Sequence, residues 1–254
     1  MAKRTSHPAG TPSWVDIGSP DPAATAAFYG ALLGWEVENL GEEAGGYSLA
    51  RIGGDDVAGI GPQQAPGLPY WTTYITVDDV DDTSKKVEAA GGTVIVPTMD
   101  VMGAGDMAVY QDNNGAFFNV WKAKESIGAY RVNEPGALCW NELNTRHMDS
   151  AKSFYTDVFG WGWEGDESYS QFFVGERTVG GFMPMPEQVP AEVPDHWIVY
   201  FAVADINTSA AKVKELGGQT MMDPFPAGEV GTIVVAMDPQ GAMFSLIQLN
   251  QEGD

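Results

Sequence analysis

Two acidic residues stand at matched places on strands that carry an indole two positions earlier: Trp14-Val15-Asp16-Ile17 and Trp140-Asn141-Glu142-Leu143. In an extended chain successive side chains point to opposite faces, so Trp14 and Asp16 share one face, as do Trp140 and Glu142. An indole beside a carboxylate supports two kinds of chemistry. The ring can stack on a flat ligand or hold a cation at its face, worth about 0.5–2 kcal/mol, while the acid pairs with the ligand's cation or hydrogen-bond donor. Alternatively, burial among aromatic rings raises the acid's pKa towards neutrality and makes it a general base. Asp and Glu are disfavoured in strands, and a buried one without a partner is destabilising. A salt bridge to a structural Arg or Lys is the competing account of the acids. Core packing is the competing account of the two Trp.

The elements that position these residues repeat. After the first strand, Asp21 is placed to cap a helix beginning at Pro22, where the missing N–H costs nothing. Phe28, Leu32 and Leu33 recur at helical spacing, and Gly34 ends the helix near Leu33. The passage returns 126 positions later: Trp14 meets Trp140, Phe28-Tyr29 meets Phe154-Tyr155, and Gly34-Trp35 meets Gly160-Trp161. Trp71 and Trp197, Tyr74 and Tyr200, Asp112 and Asp238, and Gly115 and Gly241 obey the same offset. One segment drifts to 122, pairing Tyr47 with Tyr169 and Gly59 with Gly181. An indel confined to loops is what a packed fold tolerates.

The organisation predicted is a loose arm over 1–12, polar and containing Pro and Gly, a first domain over 13–123 (units 13–61 and 70–122), a linker over 124–136, and a second domain over 137–250 (units 137–184 and 196–249). Each unit reads as β-α-β-β-β, which makes the chain an α+β protein. One helix covers one face of a unit's sheet, so units must pair and leave a concave sheet face for a ligand. The units can pair as neighbours, first with second, or across the halves, first with fourth.

With 13 Lys plus Arg against 35 Asp plus Glu, the net charge of -22 disfavours nucleic acid and membrane surfaces as partners. It suits a cationic ligand or a merely solubilising acidic face. Cys139 is the single cysteine, which excludes an intrachain disulfide, and its setting between Leu138 and Trp140 predicts a buried structural thiol. Met1 to Gly10 precede no apolar run and no stretch approaches the ~20 residues of a membrane helix, so a cytoplasmic protein without a signal peptide is expected.

Asp21 to Trp35, Phe154 to Trp161 and the Asp238-Pro239-Gln240-Gly241 hairpin together resemble the vicinal oxygen chelate superfamily. That family includes glyoxalase I, extradiol dioxygenases and bleomycin-resistance proteins. The resemblance implies two tandem glyoxalase/bleomycin-resistance-like domains with concave, cup-shaped mixed sheets. It places Trp14, Asp16, Thr72, Tyr74, Phe117 and Asn119 on the inner face of the first cup. Trp140, Glu142, Ile198, Tyr200, Met243 and Ser245 take the same places in the second. It also implies where the family's metal ligands would fall: on Trp14 and Trp140, Thr72 and Ile198, Asn119 and Ser245, and around Gly59 and Gly181. Transition metals want imidazole, carboxylate or thiolate, so neither a metal nor another cofactor is expected. His7, His147 and His196 stand away from these positions in the chain. The expectation is a metal-free binder of an aromatic or cationic small molecule, monomeric or weakly dimeric. The alternative is a metal-independent enzyme with Asp16 or Glu142 as general base.

Overall fold

The computed structural model describes residues 3–250, so Met1 and Ala2 of the expected arm lie outside the described residues. The first half contains β1 (Pro12–Ser19), α1 (Pro22–Leu33), β2 (Glu36–Asn39), β3 (Ser48–Ile52) and β4 (Asp55–Pro62). Its second unit contains β5 (Trp71–Thr76), α2 (Val80–Ala89), β6 (Thr93–Asp100), β7 (Gly105–Gln111) and β8 (Phe117–Ala123). The second half repeats the order with β9 (Leu138–Thr145), α3 (Met148–Phe159), β10 (Gly162–Gly165), β11 (Ser170–Val174) and β12 (Arg177–Pro184). It ends with β13 (His196–Ala202), α4 (Ile206–Glu215), β14 (Gln219–Thr220), β15 (Phe225–Ala227), β16 (Gly231–Met237) and β17 (Met243–Leu249). The last unit thus splits into β14 and β15 what its counterpart keeps as the single strand β6. Among the described residues, no helix is long and apolar enough to cross a membrane.

The cap chemistry sets the helix ends. The Asp21 carboxylate accepts the Ala24 amide at 3.0 Å, and Gly34 closes α1 in the left-handed region at φ 75°. Such a conformation is costly for any residue with a Cβ. The Asp78–Asp82 run supplies the Asp79 cap of α2 in the same way.

Both expected modes of pairing occur, each in a different layer. Neighbouring units share backbone hydrogen bonds: the first sheet runs β2-β3-β4-β1-β5-β8-β7-β6, and the second runs β10-β11-β12-β9-β13-β17-β16-β14 with β15 added on β16. Units across the halves share cores. Phe28, Tyr29 and Leu33 of α1 are buried with Val15 and Ile17, and also with Phe201, Val213 and Phe244 of the last unit. Phe154, Tyr155 and Val158 of α3 pack likewise with Ile75, Val87 and Phe118 of the second unit. Between these cores Thr73 donates to Asn141 at 2.8 Å, a buried bond between β5 and β9.

The Phe-Tyr pairs and Asp hairpins that mark the repeat meet across this seam. Tyr29 Oη donates to Asp238 at 3.2 Å and accepts the Trp71 indole N–H at 2.9 Å. Tyr155 Oη donates to Asp112 at 3.0 Å and accepts from Trp197 at 3.0 Å. The other oxygen of each Asp holds its own hairpin, accepting from Gln240 and Ala242 or from Asn114 and Ala116. Trp35, Trp71, Trp161 and Trp197 are all buried, as packing residues should be.

The expectation of a loose arm fails for residues 3–12. Arg4 N–H donates to Tyr130 O, Gly10 N–H donates to Thr76 O, and Gly10 O accepts the buried Trp161 indole at 2.8 Å. These partners are remote in sequence, so Pro and Gly content alone misread the segment. Cys139 is half-buried rather than buried, although its thiol lies 3.5 Å from Tyr200 O and burial pushes its pKa up.

Removing one phenol tests the seam. Tyr155→Phe leaves the Trp197 indole without its acceptor and strips one bond from Asp112, so urea unfolding should show a loss of about 1–3 kcal/mol. Tyr70→Phe, at a residue 54% exposed, is the control and should change little.

Candidate functional site

Strand alternation sends Val15 and Ile17 into the shared core and turns Trp14 and Asp16 to the other face, inside the first hollow. There β1 lies between β4 and β5, with Asp16 opposite Gly59 on one side and Thr72 on the other. Trp14 stands opposite Tyr74, and Tyr74 opposite Asn119 on the parallel neighbour β8. Tyr74 Oη donates to Asp16 Oδ2 at 2.7 Å, and Tyr47 Oη donates to the same oxygen at 3.1 Å. Trp14 Nε1 completes the chain by donating to Tyr47 Oη at 3.1 Å. The second hollow repeats this. Tyr200 Oη donates to Glu142 Oε1 at 2.8 Å, and Trp140 Nε1 donates to Tyr169 Oη at 3.1 Å. Tyr169 in turn hydrogen-bonds Glu142.

Tyr47 and Tyr169 were not among the residues expected at the site, and they are its centre. Each lies just before a strand, so strand alternation does not place it. The available signal was their pairing at the 122 offset together with Gly59 and Gly181. A Cβ at Gly59 would overlap the Tyr47 phenol, and one at Gly181 would overlap the Tyr169 phenol. Glycine is required at both places because a ring fills the side-chain space.

Neither acid takes part in a salt bridge among the described residues, so that account of Asp16 and Glu142 falls; phenols hold them instead. Burial pushes the Asp16 pKa up to about 6, against the two phenol bonds that favour the charged form. Burial raises Glu142 too, again opposed by Tyr200 and Tyr169. Tyr47 and Tyr74 are held well above the usual phenol range by burial and then by the facing Asp16 charge.

The two hollows differ in what covers them. In the first, Trp14, Tyr74 and Trp121 form one apolar cluster with Ala129, and Val132 packs against it. Ala129 and Val132 come from the linker, which Trp121 fastens by donating its indole N–H to Ser126 O at 2.9 Å. In the second, Ile247 stands where Trp121 does, no linker follows among the described residues, and Trp140 is half-buried. Thr72, Ile198 and Met243 are half-buried on their strands, whereas Phe117 leans on the exposed Tyr70 ring with centroids 6.4 Å apart. Asn119 Oδ1 in the first half is buried without a partner, and Ser245 Oγ in the second is buried with only the Tyr200 phenol beside it. They sit next to Tyr74 and Tyr200 at equivalent register positions.

The residues do not fit a metal. Indole, hydroxyl, aliphatic and amide groups occupy the expected ligand positions, and phenol rings fill the space at Gly59 and Gly181. Among the described residues, no group of three or more His, Cys, Asp or Glu is disposed to hold an ion. The histidines bond elsewhere: His7 to Ala129 O, His147 to Asp195, and His196 to Pro194 O.

Residues 137–246 match the family model of the Glyoxalase/Bleomycin resistance protein/Dioxygenase superfamily, and residues 14–121 match that of the glyoxalase-like domain. The chain belongs to this superfamily, as a member with two tandem domains. It is 42% identical over 262 residues to "Putative glyoxylase CFP32" of Mycobacterium tuberculosis, covering 98% of each chain. It is 36% identical over 265 residues to "Anthracycline biosynthesis protein DnrV" of Streptomyces peucetius, covering 95% of this chain and 94% of that one. The fold is also that of the Mn(II)-bound glyoxalase from Novosphingobium aromaticivorans, with a TM-score of 0.69 at 20% identity over 97% of this chain and 84% of that one.

Because the folded pKa of Asp16 stands above the ordinary carboxylate value, its contribution to stability is complete at low pH and is lost as pH rises to about 6. Asp16→Asn removes that titration. Urea unfolding at about pH 4 and about pH 7.5 should show the wild type weakening by roughly 2–3 kcal/mol more than the variant between the two conditions. An equal change in both proteins would mean that Asp16 ionises as an exposed acid does.

Proposed function

We propose that this chain binds a small molecule without a metal, with the ligand seated on the inner face of the second sheet. The observation that carries the reading is a pair of under-satisfied buried polar atoms at one structural position in both halves: Asn119 Oδ1 has no partner, and Ser245 Oγ has only the Tyr200 phenol. A buried polar atom left unpaired costs about 1–3 kcal/mol, and a ligand hydroxyl or carbonyl lying beside Tyr200 and Glu142 would supply the missing bond. Trp140 offers its half-buried indole to a flat ring. The second hollow is preferred because the linker contributes side chains to the first.

The chemistry favours a hydrogen-bonding aromatic ligand over a cation. A carboxyl whose pKa is raised and whose oxygens are engaged by phenols is a poor counter-ion. The relatives named for anthracycline biosynthesis suggest planar, oxygenated polycyclic compounds as the class to try first. Since each half supplies both units of its own sheet, the working form is a monomer, and the expected setting is the cytoplasm.

A hydroxylated anthraquinone should quench tryptophan fluorescence saturably. Ser245→Ala should weaken binding about tenfold, and Trp140→Phe should remove most of the quenching. Quenching of equal size in Trp140→Phe would place the ligand elsewhere and sink the reading.

One observation favours a second reading. A carboxyl with a pKa of about 6, as at Asp16, is suited to proton abstraction near neutrality. On this reading Asp16 or Glu142 is the general base of a metal-independent reaction. Turnover in the presence of a chelator, rising with pH through about 6 and lost in Asp16→Asn or Glu142→Gln, would select it.

A further inference from the structure

A cavity of about 940 Å³ lies between the docked arm and the second half, walled by arm residues, the linker, the start of β9 and the β11–β12 hairpin. In a chain with 13 Lys plus Arg against 35 acidic residues, its wall gathers Lys3, Arg4, His7 and Arg177. Glu176 is the single acidic side chain in that lining. Lys3 is neutralised by Asp55 at 2.5 Å. The Arg4 and Arg177 guanidinium groups have no ion pair or side-chain hydrogen bond among the described residues. Burial opposes protonation of His7, the Ala129 carbonyl bond favours it, and the nearby charges of Arg4 and Arg177 oppose it further. His7 Nε2 lies 2.7 Å from Ala129 O, and since a carbonyl only accepts, the proton of the neutral ring sits on Nε2. That leaves Nδ1 without a partner among the described residues.

The arrangement runs against the rest of the molecule. Where the surface has carboxylates in excess, two guanidinium groups and a half-buried imidazole line one cavity with Glu176 as the single acid in its wall. Mutual repulsion opposes this grouping, and an entering anion would relieve it. Guanidinium forks match carboxylate and phosphate oxygens in pairs. We infer that this cavity binds a small anion carrying a phosphate or carboxylate group, held by Arg4 and Arg177 with His7 as the third contact. Glu142, Tyr169, Tyr200 and Ser245 do not line this cavity, which meets their face of the sheet only at Trp140.

Histidine NMR of the full chain tests this directly, because His7, His147 and His196 are the only three to assign. Inorganic phosphate and citrate are each compared with chloride at matched ionic strength. Binding should raise the His7 midpoint by roughly one pH unit while His147 and His196 stay within about 0.2 unit of their chloride values. A shift with phosphate alone, or with citrate alone, supports the site and names which acid it prefers. The double variant Arg4→Gln/Arg177→Gln should abolish the shift and weaken calorimetric binding at least about tenfold, with near-ultraviolet circular dichroism unchanged. Lys212→Gln and Glu142→Gln should leave both intact, which separates this site from the hollow. An unmoved His7 midpoint in both anions, equal shifts of all three histidines, or a shift that survives in the double variant would overturn the inference.

Discussion

The molecule depends on two buried phenol–carboxyl contacts, Tyr29 to Asp238 and Tyr155 to Asp112. Each Asp does two jobs: one oxygen accepts the amides that close its hairpin, and the other accepts a tyrosine from a helix of the opposite half. An isolated buried carboxylate would be strongly destabilising, and here every lone pair that matters is directed at a donor. The contacts fix α1 and α3 against the backs of the opposite sheets, where most of the large apolar side chains lie. Because the backs are shared, each sheet's other face is left to curl around its own hollow. The arrangement of the inner faces follows from how the seam is closed.

The same chemical device appears on the inner faces with a different result. A tryptophan N–H donates to a tyrosine, and the tyrosine donates to a carboxyl, in Trp14-Tyr47-Asp16 as in Trp71-Tyr29-Asp238. On the seam both carboxyl oxygens are satisfied and apolar side chains surround the group. In the first hollow the neighbouring Asn119 oxygen is left over, and in the second Ser245 Oγ has only the Tyr200 phenol. The substitution of indole and phenol for metal ligands is therefore coordinated across positions. Glycine at 59 and 181 opens the room, and the tyrosine from the preceding turn fills it. Among the described residues a linker follows the first half alone, and it brings Ala129 and Val132 to the first hollow.

What could be read from the residues follows the range of the interactions involved. Asp21, Pro22 and Gly34 act within one helical turn of themselves, so the ends of α1 are plain in the chain. The repeat is legible because a packed seam demands the same Tyr, Trp, Asp and Gly from each half. Strand alternation is equally local, and it places Trp14 and Asp16 correctly on one face. Tyr47 and Tyr169 escape because their partners are 31 and 29 residues or so away, and no local period marks them. The arm escapes for a similar reason: its hydrogen bonds go to Thr76, Tyr130 and Trp161, and Pro-rich composition is silent about them. The division of β14 from β15 has no counterpart in the first half and no local mark that anticipates it.

Net charge illustrates the limit of composition as a guide to ligands. Many of the chain's cations are consumed at the surface: Arg51 by Glu38 and Asp56, Lys124 by Asp100 and Asp106, and Arg131 by Asp55 and Glu134. The acidic surplus that remains lies outside, where it governs solubility and the approach of charged solutes. The acids that face the hollows are a different population. Burial raises their pKa values while phenol hydrogen bonds pull the other way, so their charge is engaged locally by Tyr47, Tyr74, Tyr169 and Tyr200. A total of -22 therefore says little about the chemistry of the inner faces. That chemistry is set by carboxyls held by phenols, by the Asn119 oxygen left without a partner, and by the indole and phenol rings packed around them.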